Sequence, residues 1–139
     1  MIFADTNVIL DVLQDDPVWE PWSSDRLAEA RGEGDIVINA ITVAELSRDY
    51  ADVSMLTMAL GLLELTIEPI ELEAAFLAGH RFAAAARQRP DGERRRPLPD
   101  FFIGAHAVTL GVPLLTRDTQ LYRRHFPDLT LIIPETDHG

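Results

Sequence analysis

Residues 1–13 read MIFADTNVILDVL, and how they are read decides the fold. MIFA (1–4) makes a short apolar run of strand character, and from Thr6 onward the apolar residues return at helical spacing. Asp5 falls between the two, an ionisable side chain where a buried strand hands over to a helix. Polar residues are common at such junctions, because the free N–H groups of a helix start need acceptors. The weight of Asp5 therefore depends on whether later acids occupy equivalent places.

The rest of the chain alternates in the same way. DIVIN (35–39) and VPLLT (112–116) read as buried strands, and LTIEPI (65–70) and LTLII (129–133) as further ones. Helical spacing fills the stretches between, in SSDRLAEARGEG (23–34), ITVAELSRDYA (41–51), SMLTMALGLLE (54–64), the alanine-rich ELEAAFLAGHRFAAAARQR (71–89), DFFIGAHAVTLG (100–111) and RDTQLYRRHF (117–126). Such alternation predicts an α/β fold with a central, mostly parallel sheet flanked by helices on both faces. With 139 residues and no linker, one domain spanning 1–139 is expected.

Composition narrows the chemistry. The chain has no cysteine, so thiolate metal sites and disulfides are excluded, and any metal must be held by oxygen or by one of four histidines. Twenty-three acids against twelve bases give a net charge of −11, a poor balance for general nucleic-acid binding and a good one for cations or a basic partner. All twelve bases are arginine. The missing lysine rules out a P-loop and disfavours phosphoryl-accepting α/β domains, whose sites resemble ones that place a lysine beside the phosphoryl group. No signal-peptide pattern and no apolar run of membrane-spanning length is present, so a soluble cytoplasmic protein is expected.

One later acid falls where Asp5 does, and two more lie near helix starts. Ligands of open parallel sheets bind at the carboxyl ends of the strands. Asp118 follows the strand PLLT, and Glu45 lies one turn into the helix after DIVIN. Asp100 follows Pro99 at the end of a stripe continued by Ile103, Ala107 and Leu110, so it points toward a core edge. Singly, each has a plain structural reading: Asp5, Asp100 and Asp118 as helix N-terminal acceptors, Thr42 with Glu45 as a capping box. Together they would gather on one sheet edge, where carboxylates ~4 Å apart repel by about 4 kcal/mol per pair at an effective dielectric near 20. Protons or cations must offset that repulsion. Hard oxygen donors favour Mg2+ or Mn2+, and two such ions can activate water and stabilise a leaving oxygen in phosphodiester cleavage.

FADTNVIL (3–10), TVAEL (42–46), LPDFFIGAHA (98–107) and LLTRD (114–118) together resemble the PIN-domain family, and within it the VapC toxins of toxin–antitoxin pairs. The resemblance runs from about Ile2 to Ile133. It implies a Mg2+- or Mn2+-dependent endoribonuclease that cuts RNA, is inhibited by a VapB-like antitoxin and forms a homodimer. Asp5, Glu45, Asp100 and Asp118 match the family's acidic quartet, with Asp5, Asp100 and Asp118 as metal ligands. Thr6, Asn7 and Thr116 match its supporting polar positions. The alternative is a PIN-like protein-binding module without chemistry.

Other residues carry weaker expectations. Arg94, Arg95 and Arg96 precede Asp100 in the proline-rich loop RPDGERRRPLP (89–99), and Arg117 precedes Asp118; Arg95, Arg96 and Arg117 are candidates for gripping RNA phosphates. Trp19 and Trp22 could stack on bases or pack in the core. His106 lies well round its helix from Asp100 and reads as a packed or surface residue. Apolar helix surfaces around Met55 to Leu63 are the candidate dimer contact.

Overall fold

The computed structural model describes residues 1–88 and 97–135 of the chain. Five short strands, β1 (Ile2–Ala4), β2 (Ile36–Ile38), β3 (Leu65–Ile67), β4 (Leu114–Leu115) and β5 (Leu131–Ile132), form one sheet in the order β3-β2-β1-β4-β5. Every neighbouring pair is parallel. β1 is the central strand: Phe3 stands opposite Val37 of β2 on one side and Leu114 of β4 on the other. Between the strands run α1 (Thr6–Leu13), α2 (Glu20–Glu33), α3 (Ala40–Leu46, continued by a 3-10 turn over Ser47–Asp49), α4 (Val53–Leu62), α5 (Leu72–Gln88), α6 (Leu98–Leu110) and α7 (Thr119–His125).

Successive strand side chains point to opposite faces, and the core divides along that alternation. Phe3, Val37 and Leu114 join Ala78 of α5, Phe101 and Ile103 of α6, and Leu121, Tyr122 and Phe126 of α7 and its end. Ala4, Ile36, Ile38 and Leu115 join Val8 and Ile9 of α1, Leu27 of α2, Leu46 of α3 and Leu56 and Leu60 of α4. Both faces are therefore covered, which is why the inner strands β1, β2 and β4 read as unbroken apolar runs, whereas the edge strand β3 carries Thr66 and exposes Ile67.

The helix boundaries differ from the spacing in three informative places. α2 starts at Glu20, ahead of Ser23, because Pro21 sits in its first turn, where a missing N–H leaves no hydrogen bond unmade. α6 likewise starts at Leu98 with Pro99 in its first turn, so Asp100 lies inside that turn and does not open the helix. Leu110, the far end of the expected inward stripe, is 37% exposed, whereas Ile103 and Ala107 are buried. Thr42 and Glu45 do not form a capping box: Asn39 caps α3, accepting from the N–H groups of Ile41 at 3.0 Å and Thr42 at 3.4 Å. Arg94, Arg95 and Arg96 lie outside the described residues.

Gly104 is where α6 comes closest to the residue ending α7. A Cβ built there would stand 2.7–2.8 Å from the ring of Phe126, which is itself buried against Phe101 and Tyr122 and cannot swing aside. Gly104→Ala gains about 1 kcal/mol of helix propensity but forces overpacking that costs about 1–3 kcal/mol. Net destabilisation in chemical denaturation is expected, partly recovered by adding Phe126→Leu, which shortens the obstructing side chain.

Candidate active site

The chain leaves β1 toward β2 on one side and later builds β4 and β5 on the other. The strand order thus reverses between β1 and β4, and the loops leaving these two strands open a crevice at their carboxyl ends. Asp5 and Thr116 are the first residues beyond the two strands. The Asp5 N–H donates to Leu115 O at 2.9 Å, carrying the pairing one residue past the strand.

The Asp5 side chain divides its two oxygens. Oδ1 accepts from the Thr6 N–H at 2.8 Å, capping the start of α1. Oδ2 accepts from Thr116 Oγ1 at 2.8 Å, the Tyr122 hydroxyl at 3.1 Å and Asn7 Nδ2 at 3.3 Å. All four donors are neutral. Thr116 gives its one proton to Asp5 and accepts from the Asp118 N–H at 2.9 Å and from Asn7 Nδ2 at 3.4 Å, filling the capacity of a hydroxyl. Asn7 Oδ1 takes the Arg117 N–H at 3.2 Å, so its amide is oriented from both ends.

Burial dominates the ionisation of Asp5. The carboxyl is pushed up to about 6, burial being the largest cause; the hydrogen bonds from Thr116 and Tyr122 oppose the rise and the neighbouring charge of Asp100 adds to it. The Tyr122 hydroxyl is driven well above its ordinary range, first by burial and then by the fields of Asp5, Asp100 and Asp118. Three acids drawn from the β1–α1 junction, the first turn of α6 and the β4–α7 junction therefore act on one buried hydroxyl. Asp118 also accepts from the Leu121 N–H at 3.4 Å, capping α7. Glu45 reaches the same neighbourhood from α3: Thr6 Oγ1 donates to its Oε1 at 2.7 Å, and, having spent its proton, accepts from Thr42 Oγ1 at 3.0 Å. Asp5 is buried, Asp100 and Asp118 are partly exposed, and Glu45 is open to solvent.

This is a site rich in negative charge whose deepest carboxylate has no cationic hydrogen-bond donor among the described residues. Its oxygen-only chemistry suits a hard divalent cation. Among the described residues, no group of three or more His, Asp or Glu side chains is already arranged around a metal position. Mg2+ is commonly held by one or two carboxylates while keeping several waters, and Asp5 with its acidic neighbours fits that mode.

Arg117 has another occupation than phosphate binding. Its guanidinium forks onto Asp11 of α1, Nε to Oδ2 and Nη2 to Oδ1, both at 2.7 Å, and lies 4.9 Å over the Trp19 ring. Ser23 Oγ of α2 adds a 2.6 Å bond to Asp11 Oδ2. Trp19 stands edge-on to Trp22, 6.0 Å between centroids, and Trp22 packs against the core. The clamp ties α1, α2 and the β4–α7 loop together. Asp11 carried a signal, an acid amid an apolar helical run. Tyr122 carried none, since a tyrosine in a short amphipathic helix reads as core.

Residues 2–127 match the PIN domain, and the chain belongs to that family. The structure is similar to a chain of VapBC2 from Rickettsia felis bound to a DNA fragment from their promoter, with a TM-score of 0.73 at 20% identity over 96% of this chain and 98% of that one. DNA-bound VapBC from Salmonella typhimurium gives 0.70 at 21%, and VapBC-1 from nontypeable Haemophilus influenzae 0.69 at 23%, each over 96% of this chain and 98% of the other. At these identities the likeness is one of fold. No curated protein matches the sequence.

Two outcomes follow from the geometry. As pH rises from about 4 to about 6 the unfolded chain releases the Asp5 proton before the folded protein does, so stability falls across that window by about 3 kcal/mol and then levels. Denaturant midpoints in chelator, compared between the wild type and Asp5→Asn, isolate this slope, which the variant is expected to lack. Asp11→Ala leaves Arg117 and Ser23 without their acceptor and is expected to cost about 2–4 kcal/mol in the same measurement. Arg117→Lys is expected to keep little of the clamp, because an ammonium lacks the fork.

Proposed function

We propose that this protein is a VapC-type toxin, an endoribonuclease dependent on Mg2+ or Mn2+ and restrained by a cognate antitoxin. The observation that carries the reading is the buried Asp5 carboxylate, bonded among the described residues by neutral donors and raised in pKa by burial beside Asp100, in the switch-point crevice of a PIN domain. The toxin–antitoxin context of the solved neighbours supports it: three are VapBC complexes, and one from Klebsiella pneumoniae is described as a toxin–antitoxin complex.

Asp5, Asp100 and Asp118 would hold the ion. Bound there, it would supply an activated water and a counter-charge for the leaving oxygen of a phosphodiester. The chain's own groups do the orienting. Thr116, Asn7 and Tyr122 fix Asp5 Oδ2, Thr116 also holds the Asp118 backbone, and Thr6 sets the Glu45 carboxylate through Oε1. Recognition cannot draw on general charge, since the net charge is −11, and it suits a structured RNA read by shape and splayed bases. Arg95 and Arg96 are the proposed phosphate contacts, Arg117 being engaged with Asp11.

The same reading includes a homodimer. On α4, Met55, Met58 and Leu62 are 52%, 70% and 80% exposed and form its proposed surface, while Leu56 and Leu60 face the core. Among the described residues no helix is long and apolar enough to cross a membrane, and action in the cytoplasm, where RNA is found, belongs to the proposal.

The test is cleavage of RNA by purified protein with Mg2+ or Mn2+. Asp5→Asn is expected to lose activity by more than about a hundredfold, and Thr116→Val, which removes a hydrogen bond behind a ligand, by about tenfold to a hundredfold. Undiminished cleavage by Asp5→Asn sinks the assignment. Calorimetric titration with Mn2+ is expected to give a saturable signal that Asp100→Asn abolishes; a wild type that binds no metal and cuts no RNA is instead a protein-binding module.

A further inference from the structure

Resting on the ribonuclease reading, the geometry points to His106 as a positioning residue that latches α3, bearing Glu45, to α6, bearing Asp100, through the cap residue Asn39. His106 lies in the middle of α6 and is 1% exposed, so it touches neither substrate nor solvent. Its Nδ1 stands 3.1 Å from Asn39 Nδ2.

The protonation pattern follows from the cap. Asn39 Oδ1 accepts from the Ile41 and Thr42 N–H groups at 3.0 and 3.4 Å, so the amide cannot turn without uncapping α3. The end facing His106 is therefore Nδ2, which can only donate. Nδ1 must accept, and the ring is neutral with its proton on Nε2. A proton on Nδ1 would set two donors against each other across the same gap. Either the ring would shift within α6, or the Asn39 amide would turn and release the start of α3. That start carries Thr42, whose hydroxyl meets Thr6, and Thr6 in turn orients Glu45.

The surroundings favour the neutral ring. From β1 the facing group is the Phe3 ring, 5.1 Å between centroids, and from α3 it is Asn39; neither is charged. Glu68 and Glu71, between β3 and α5, favour the protonated form, but burial outweighs them and holds the ring below the ordinary histidine range. The latch is therefore closed at neutral pH and opens on acidification.

The test joins nitrogen-15 NMR of the His106 ring to cleavage kinetics on the full chain. Spectra are recorded in the wild type and in Asp5→Asn, where the site's own carboxylate does not titrate. At neutral pH, Nδ1 is expected bare and Nε2 protonated, with the Ile41 and Thr42 amide resonances moving at the ring's own midpoint on acidification. A proton on Nδ1 at neutral pH, or amides that ignore the ring, overturns the latch whether or not the protein cuts RNA. His106→Gln retains an acceptor toward Asn39 and is expected to keep kcat at neutral pH while losing the coupled shift. His106→Leu strands Asn39 Nδ2 and is expected to lower kcat about tenfold or more with KM little changed, as displacement of a positioned group does. Equal kcat in the Gln and Leu variants overturns the proposal. Absence of cleavage in every form refutes the ribonuclease reading instead, and the spectra still decide the latch.

Discussion

The hydrogen bond between Thr116 Oγ1 and Asp5 Oδ2, 2.8 Å long and spanning 111 residues of sequence, is the contact on which the site depends. It joins the two residues that leave the central strands on either side of the reversal in strand order. The sheet brings them together because β1 pairs with β4 in parallel register, and the same hydroxyl then holds the Asp118 backbone. The carboxylate is taken almost out of water at that point, and among the described residues its hydrogen-bond donors are all neutral. A fold optimised only for stability would place a neutral side chain there. Keeping an acid at such a position is a cost that a site for cations can offset.

Polar contacts elsewhere are arranged around this one. The Arg117–Asp11 fork keeps the β4–α7 loop against α1, so the backbone that presents Thr116 and Asp118 has little freedom. Asn7 and Thr6 extend the same control along the first turn of α1, one toward Arg117 N and the other toward Glu45. Asp5, Asp118 and Glu45 are thus held by neighbours that are neutral. The pocket remains negative while its walls stay rigid.

Much of the architecture was legible in the sequence because the inner strands β1, β2 and β4 are covered on both faces and so read as uninterrupted apolar runs. DIVIN and PLLT needed no further context. Helix starts were less legible where a proline stands in the first turn, as at Pro21 and Pro99, since proline both breaks and opens helices. Thr42 and Glu45 had the spacing of a capping box, yet Asn39 three residues earlier does the capping and frees Thr42 for a contact with α1. The four acids could be singled out by their places relative to strand ends. Their hydrogen-bond partners could not: Tyr122 meets Asp5 across 117 residues, and Arg117 meets Asp11 across 106, separations at which local spacing holds no information.

The central place of β1 sets a timetable for the newborn chain. Its acid leaves the ribosome well ahead of the threonine, aspartate and tyrosine that complete the pocket, which come more than a hundred residues later. At about 5–20 residues per second, that interval lasts from about five to twenty seconds. Throughout it the growing polypeptide carries Asp5 without its companions. Until they arrive the pocket does not exist: Asp5 is an acid with neither the threonine nor the tyrosine that will hold it.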